Sequence, residues 1–410
     1  MRFLLSTIGS RGEVQPVVAL ARHLAELGQE AVVCAPPDFR QWAESLGVTY
    51  VPVGPELSGT ARRSTGTVPT PEQRRQMIES TVAAQFEAVG RAAEGCDAIV
   101  GGGGLAIAAR SVAEQRGIGY VYAAFAPVTL PSAHHAPPVF GTLGEKPADG
   151  TVDNRTLWDR DAERWNAVFR EALNARRATV GLSPVRDMRD HIFTGAPWPA
   201  ADPTLAPWPQ PSELDVRQTG AWLLPDTRPL SDELETFLDA GEPPVYCGFG
   251  SSRAPDGVTK AVIDTARALG RRVVLSSGWA ELSLVDDAPD CLLIGEVNQQ
   301  ALFRRVAAAI HHGGAGTTTA AAVSGAPQVV VPLQFDQFSF ARRVEHLGIG
   351  SAHPSGDLTT DTLLPALRRA LDSEVAAQAR TVADAVRTDG ASTAARQLID
   401  LRGSLAEAQR

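Results

Sequence analysis

Two series of short apolar runs, each run followed by a longer amphipathic stretch, constrain this chain more than any other feature, because that alternation is what a parallel sheet covered by helices requires. In the first series, residues 3–8, 30–34, 97–100 and 120–125 read as buried strands. A loop is expected over 9–15 and a helix over 16–27, with Pro16 at its first turn and Gly28 at its stop. An alanine-rich helix is expected over 105–116. The stretch 53–73, rich in Gly, Ser, Thr, Pro and Arg, reads as a surface loop suited to closing over a bulky ligand. The second series places strands at 245–249, 272–275, 291–295, 308–311 and 328–332. Between the two lies the proline-rich, aperiodic stretch 196–211, with Trp198 and Trp208. The division expected is a first α/β domain over 1–200, a linker over 201–217 and a second α/β domain over 218–385. A terminal helix over 386–410, following a break near Asp389-Gly390, has the length to pack back on the first domain.

With 410 residues, two cores are the default. Lys and Arg total 38 against 47 for Asp and Glu, a formal charge of −9 that repels phosphate polymers, so nucleic acid is not an expected partner. Cys34, Cys96, Cys247 and Cys291 are far apart and show no CxxC spacing, which disfavours a disulfide or zinc framework and fits a cytoplasmic setting. The first apolar run is too short for a signal-peptide core. No run approaches the roughly 18 apolar residues of a membrane span, so no integral membrane association is expected.

The segment that carries most chemistry runs from the strand at 308–311 into His311-His312-Gly313-Gly314-Ala315-Gly316-Thr317-Thr318 and a helix beyond. A strand feeding a glycine-rich turn that opens a helix presents unpaired N–H groups and lets an anion approach closely, which suits a pyrophosphate. The dipole supplies only about 0.3–1 kcal/mol per interaction, so His311 or His312 and the threonine hydroxyls must add hydrogen bonds. A tight structural turn with core histidines is the competing reading. Beyond the strand at 328–332, Asp336 and Gln337 share the same rim, since ligands of open α/β sheets sit outside the carboxyl ends of the strands. A carboxylate beside an amide suits vicinal hydroxyls, and hence a sugar. Asp336 is also placed to cap the helix that follows.

In the order of these elements the chain resembles the nucleotide-sugar-dependent glycosyltransferases built from two Rossmann-like domains facing each other across a cleft, the GT-B fold. The opening Gly9-Ser10-Arg11-Gly12-Glu13-Val14-Gln15-Pro16 and the loop at 311–318 resemble the glycopeptide-antibiotic branch, with the vancomycin and teicoplanin enzymes; sterol and macrolide enzymes are more distant relatives. The resemblance implies an inverting transfer from a UDP- or dTDP-sugar donor to a hydroxyl of a small-molecule aglycone acceptor, with no metal and no cofactor besides that co-substrate. It places His311, Gly314, Ala315, Gly316 and Thr317 on the diphosphate, Asp336 and Gln337 on the sugar, the main chain of Val297 on the base and Ser251 on the phosphates. Trp279 falls near the base. Glu13 takes the position of the base, where the glycopeptide branch carries Asp, one methylene shorter. Ser10 and Arg11 stand beside it.

Other signals compete for a role. His134 and His135 are candidates for touching an acceptor, and Asp159-Arg160-Asp161 has the form of a metal-binding DxD but sits in a charged helical run. The rival functions are a lipid- or polyketide-directed transferase, a nucleotide-sugar epimerase of the same fold and a non-catalytic nucleotide-sugar-binding protein. A dinucleotide dehydrogenase is disfavoured, because the turn at 9–12 lacks GxGxxG spacing.

Overall fold

A computed structural model describes residues 1–60, 70–139, 150–354 and 357–407. Residues 61–69, in the middle of the loop expected at 53–73, lie outside them. The first sheet holds β1 (Arg2–Thr7), β2 (Glu30–Ala35), β3 (Thr49–Pro52), β4 (Ala98–Gly102), β5 (Gly119–Ala124) and β6 (Trp198–Pro199), in the order β3-β2-β1-β4-β5-β6. The second holds β7 (Val245–Gly248), β8 (Val273–Ser276), β9 (Cys291–Ile294), β10 (Ala308–His311), β11 (Gln328–Val330) and β12 (Gly350–Ala352), in the order β12-β11-β10-β7-β8-β9. Counted within its own lobe, each sheet runs 3-2-1-4-5-6 with parallel pairing, the order of a doubly wound Rossmann fold. The α/β class and the two-domain GT-B arrangement expected above are what the chain adopts.

The first helix departs from expectation at its start. It spans Arg11–Glu26, not 16–27, because Ser10 and Glu13 form a capping box that nucleates it five residues early and leaves Pro16 inside the helix. Val14, Val17, Val18, Leu20 and Leu24 then face the core with Phe3 and Leu5 of β1. The same cluster takes in Trp222 and Leu224, and then Ala391, Ala394, Ala395 and Leu398 of the last helix, Gly390–Glu407. The chain therefore leaves the first lobe only after Leu224 and returns to it for its final helix, which packs along Arg11–Glu26.

The two crossings lie side by side. An added Cβ at Gly390 would overlap the backbone of Gly220 and Ala221, so only glycine admits this approach. The buried carboxylate of Asp202 fixes the crossing, accepting from the N–H groups of Thr204 (2.8 Å), Leu205 (3.1 Å) and Arg387 (2.9 Å). Arg343, from the second lobe, donates to the Thr204 carbonyl at 2.6 and 2.9 Å. Leu398→Ala is expected to lower stability by about 2–4 kcal/mol, measured as the midpoint and slope of urea unfolding. A loss below about 0.5 kcal/mol, the size of an ordinary surface change, would show that the last helix is not part of the first core.

Candidate active site

In each sheet the strand order reverses at one crevice, between β1 and β4 in the first lobe and between β7 and β10 in the second. Ligands of open α/β sheets bind there. Glu13 follows β1, on the third residue of its helix. Its Oε2 accepts from the Ser10 N–H (2.8 Å) and from the Ser10 hydroxyl (3.0 Å). Gly9 makes this possible, since a Cβ there would lie 2.7 Å from the Glu13 carboxyl group. Burial raises the Glu13 carboxyl above the ordinary carboxylate range, and the Ser10 donors oppose the rise.

The other wall of this crevice is the run Gly101-Gly102-Gly103-Gly104 at the end of β4, which sequence reasoning passed over. A Cβ at Gly101 would meet the Tyr120 hydroxyl at 2.5 Å, at Gly102 the Phe125 ring at 2.8 Å and at Gly104 the Trp165 ring at 2.9 Å. Gly101, Gly102 and Gly104 thus let three aromatic rings close on the backbone beside Glu13. Four consecutive glycines in one place are the signal that could have found it.

Across the cleft, β10 ends at His311 and Gly314 caps the helix Ala315–Val323. Here a correction is needed. His311 is fully buried and spends both ring nitrogens internally: Nδ1 accepts from the Gly313 N–H (3.0 Å), so Nε2 carries the proton and donates to the Gln328 side-chain carbonyl (2.9 Å). Burial holds its pKa down to about 3, so the ring is neutral. It shapes the turn, and in this arrangement neither ring nitrogen is left to donate to a diphosphate. Strand parity explains why, for His311 shares its face with Ala309 and turns into the core, whereas His312 turns the other way. The His312 ring lies against Gly314 and Gly250, between the turns that follow β10 and β7. Its Nδ1 is buried with no hydrogen-bond partner, and burial lowers its pKa to about 4.

Ala315, Gly316 and Thr317 form the first turn of the helix, with Gly316 exposed and Thr317 half-buried. Ser251 is half-buried in the turn after β7, next to Gly250. Asp336 makes no side-chain cap of its own helix, Gln337–His346. Burial, and then the charge of Glu13, push its pKa up to about 7. The charge of Glu13, from the opposite lobe, is thus felt at Asp336. Gln337 is buried, and its carbonyl oxygen accepts from the N–H groups of Leu333 (2.8 Å) and Gln334 (3.0 Å). That oxygen is committed to the loop, so only the amide NH₂ is left to meet a ligand.

The remaining candidates fall around the rim. Val297 is half-exposed beside Asn298, whose side chain caps the short helix Gln299–Leu302. Trp279 donates its backbone N–H to the Gly250 carbonyl (2.8 Å) and stacks its ring on Phe39 of the first lobe (5.9 Å, 19°). Arg11 pairs with Glu296 of the second lobe at 3.0 Å. His135 packs between Trp158 and Trp208, and its loop meets the second lobe where the Phe335 N–H donates to the Val139 carbonyl (3.1 Å). The exposed His134 lies against the Pro211 carbonyl (3.0 Å). Asp159 and Asp161 sit on the helix Asn154–Thr179; Asp161 is buried and paired with Arg164 at 2.9 Å, Asp159 is exposed, and the two do not converge. Among the described residues no three His, Cys, Asp or Glu side chains cluster as metal ligands, and no helix is long and apolar enough to cross a membrane.

Residues 3–135 match the glycosyltransferase family 28 N-terminal domain, and residues 260–400 match the erythromycin biosynthesis protein CIII-like C-terminal domain. The chain is 49% identical over 402 residues to the vancomycin aglycone glucosyltransferase of Amycolatopsis orientalis, covering 98% of this chain and 97% of that protein. The chain belongs to the nucleotide-sugar-dependent glycosyltransferases. A second relative of this glycosyltransferase, the dTDP-epi-vancosaminyltransferase of the same organism, is 45% identical over 390 residues and 93% of each chain. Among solved structures, the glycosyltransferase of kitacinnamycin superposes with a TM-score of 0.72 at 19% identity over 98% of both chains, a likeness of fold.

The raised Asp336 gives the enzyme a testable pH dependence. Its folded pKa of about 7 lies above its unfolded value, so between the two the native state holds the proton more tightly. Stability without donor therefore falls as pH rises from about 4 to about 7. Asp336→Asn is expected to flatten that slope in thermal unfolding followed across this range; an unchanged slope would show that Asp336 titrates as an ordinary surface carboxylate.

Proposed function

We propose that this glycosyltransferase moves a sugar from a dTDP- or UDP-sugar to a hydroxyl of a glycopeptide aglycone, with inversion, and that Glu13 is the general base. The observations that carry this reading are Glu13, held by Ser10 at the β1–β4 crevice of the first lobe, and the first turn of the helix Ala315–Val323 at the β7–β10 crevice of the second. Both relatives described above are named for such chemistry, one for a vancomycin aglycone acceptor and the other for a dTDP-linked sugar.

The acceptor hydroxyl gives its proton to Glu13 as its oxygen attacks the anomeric carbon. The bond from that carbon to the diphosphate oxygen breaks on the opposite side, and the nucleoside diphosphate leaves. Ser10 holds Glu13 through Oε2 alone, so Oε1 is the oxygen that takes the proton. The raised affinity of the buried carboxyl for a proton suits a base at neutral pH. The N–H groups of Gly316 and Thr317, with His312 in place of His311, steady the charge that develops on the diphosphate. Asp336 and the amide NH₂ of Gln337 meet the sugar hydroxyls, while Ser251 and the main chain of Val297 meet the phosphates and the base. Because backbone donors meet the diphosphate, neither a metal nor a further cofactor enters the reaction. The four cysteines are all buried thiols, which suits a reducing cytoplasmic setting.

Glu13→Gln is expected to lower kcat by about 10²–10⁴, the usual worth of a general base, while dTDP affinity by calorimetry stays within about twofold. The assay is a mass-spectrometric screen of dTDP- and UDP-sugars against peptide, polyketide and sterol aglycones; retained transfer by the variant excludes Glu13 as base. In the same assay, excess EDTA is expected to leave the wild-type rate unchanged, and activity lost to EDTA but restored by a divalent cation would overturn the metal-free reading.

A further inference from the structure

Arg11 stands two residues before Glu13 in the same helical turn, yet its side chain belongs to the contact between the lobes. Its guanidinium makes a forked pair with Glu296 of the second lobe, at 3.0 and 3.3 Å, and lies 3.9 Å from the centre of the Trp42 ring of the first. Its Nε donates to Gln15 on the next turn (3.0 Å), which fixes the direction of the side chain along the helix. Glu296 is itself anchored. Arg228 reaches it at 3.4 Å, and the side chain of neighbouring Asn298 donates to the carbonyls of Asp226 (2.9 Å) and Arg228 (2.8 Å). The segment carrying Val297 is thus tied by one fork to the turn carrying Glu13.

We infer that Arg11 is a positioning residue: its fork to Glu296 sets how far the turn that holds Glu13 stands from the donor-binding segment at 295–298, and so aligns the base with the sugar. Arg11 is thereby engaged by protein and acts on the reaction through Glu296, not through the diphosphate. Trp42 and Glu296 clamp the planar guanidinium on two sides, a geometry lysine does not reproduce. The inference rests on the assignment of Glu13 as base, and the two are separable. Transfer retained by Glu13→Gln removes the base, while the coupling between positions 11 and 296 is read in other proteins.

The test compares the wild type with Arg11→Ala, Glu296→Ala, the double variant and the exchanged pair Arg11→Glu with Glu296→Arg, for transfer kinetics and for dTDP affinity. Each single variant is expected to lower kcat/KM about fivefold, the worth of about 1 kcal/mol for a pair this exposed. The double variant should lose no more than either single one, and the exchange should recover most of the loss. Arg11→Lys, which keeps the charge and folds without a buried cavity, should fall close to Arg11→Ala. If Arg11→Ala weakens dTDP binding and Glu296→Ala does not, Arg11 is a diphosphate ligand and the inference is overturned. Losses that multiply in the double variant, or no loss in either single one, overturn it as well.

Discussion

The carboxylate of Glu13 is caught at the start of its own helix, one oxygen taking both donors of Ser10 in the space that Gly9 leaves free. That capping box fixes where the first helix begins, and the helix then carries much of the first core and the terminal helix packed along it. A carboxylate held this way loses little entropy on meeting a ligand, because its rotamer is already chosen by the backbone it caps. The same contact limits its basicity, since two donated hydrogen bonds favour the ionised form against the desolvation that opposes it.

The two lobes repeat one sheet order, so their unequal chemistry must come from what each turn carries. At the third residue of the helix beside its crevice the first lobe has Glu13 and the second has Thr317. A carboxylate there satisfies the helix start from within and repels a second anion. A threonine leaves the N–H groups of the first turn for a ligand. On the proposed reading, the division of labour between an acceptor lobe with a base and a donor lobe with an anion site is thus written in one side chain on each side of the cleft.

Most of this was legible in the sequence, and the failures have physical causes. Long apolar runs such as those of β1, β10 and β11 announce buried parallel strands. β3, β6 and β12 were not seen, because each is two to four residues at or beside a sheet edge with no apolar run to mark it. Pro16 drew the helix start five residues too late, since Pro at a first turn is the commoner pattern and the capping box at Ser10 and Glu13 outweighed it. His311 and His312 are alike as letters, and only the parity of β10 tells the core ring from the cleft ring. The committed carbonyl of Gln337 depends on how a loop folds back on itself, which spacing does not encode.

Charge acts differently at the centre of the cleft and on its rim. Glu13 and Asp336 oppose each other at the reacting centre, and the second-largest cause of the rise at Asp336 is the charge of Glu13. On the rim Arg11 and Glu296 attract, but this pair is 28% and 57% exposed and is worth about 0–1 kcal/mol. Attraction on that scale is small beside the burial that raises Asp336, so without donor Asp336 holds a proton more readily than an ordinary carboxylate does. A sugar hydroxyl donating to Asp336 does what the proton does, stabilising the carboxylate without removing the charge of Glu13. On the proposed reading, donor binding and readiness of the base are one event: the ligand that satisfies Asp336 leaves Glu13 as the site to which the acceptor proton goes.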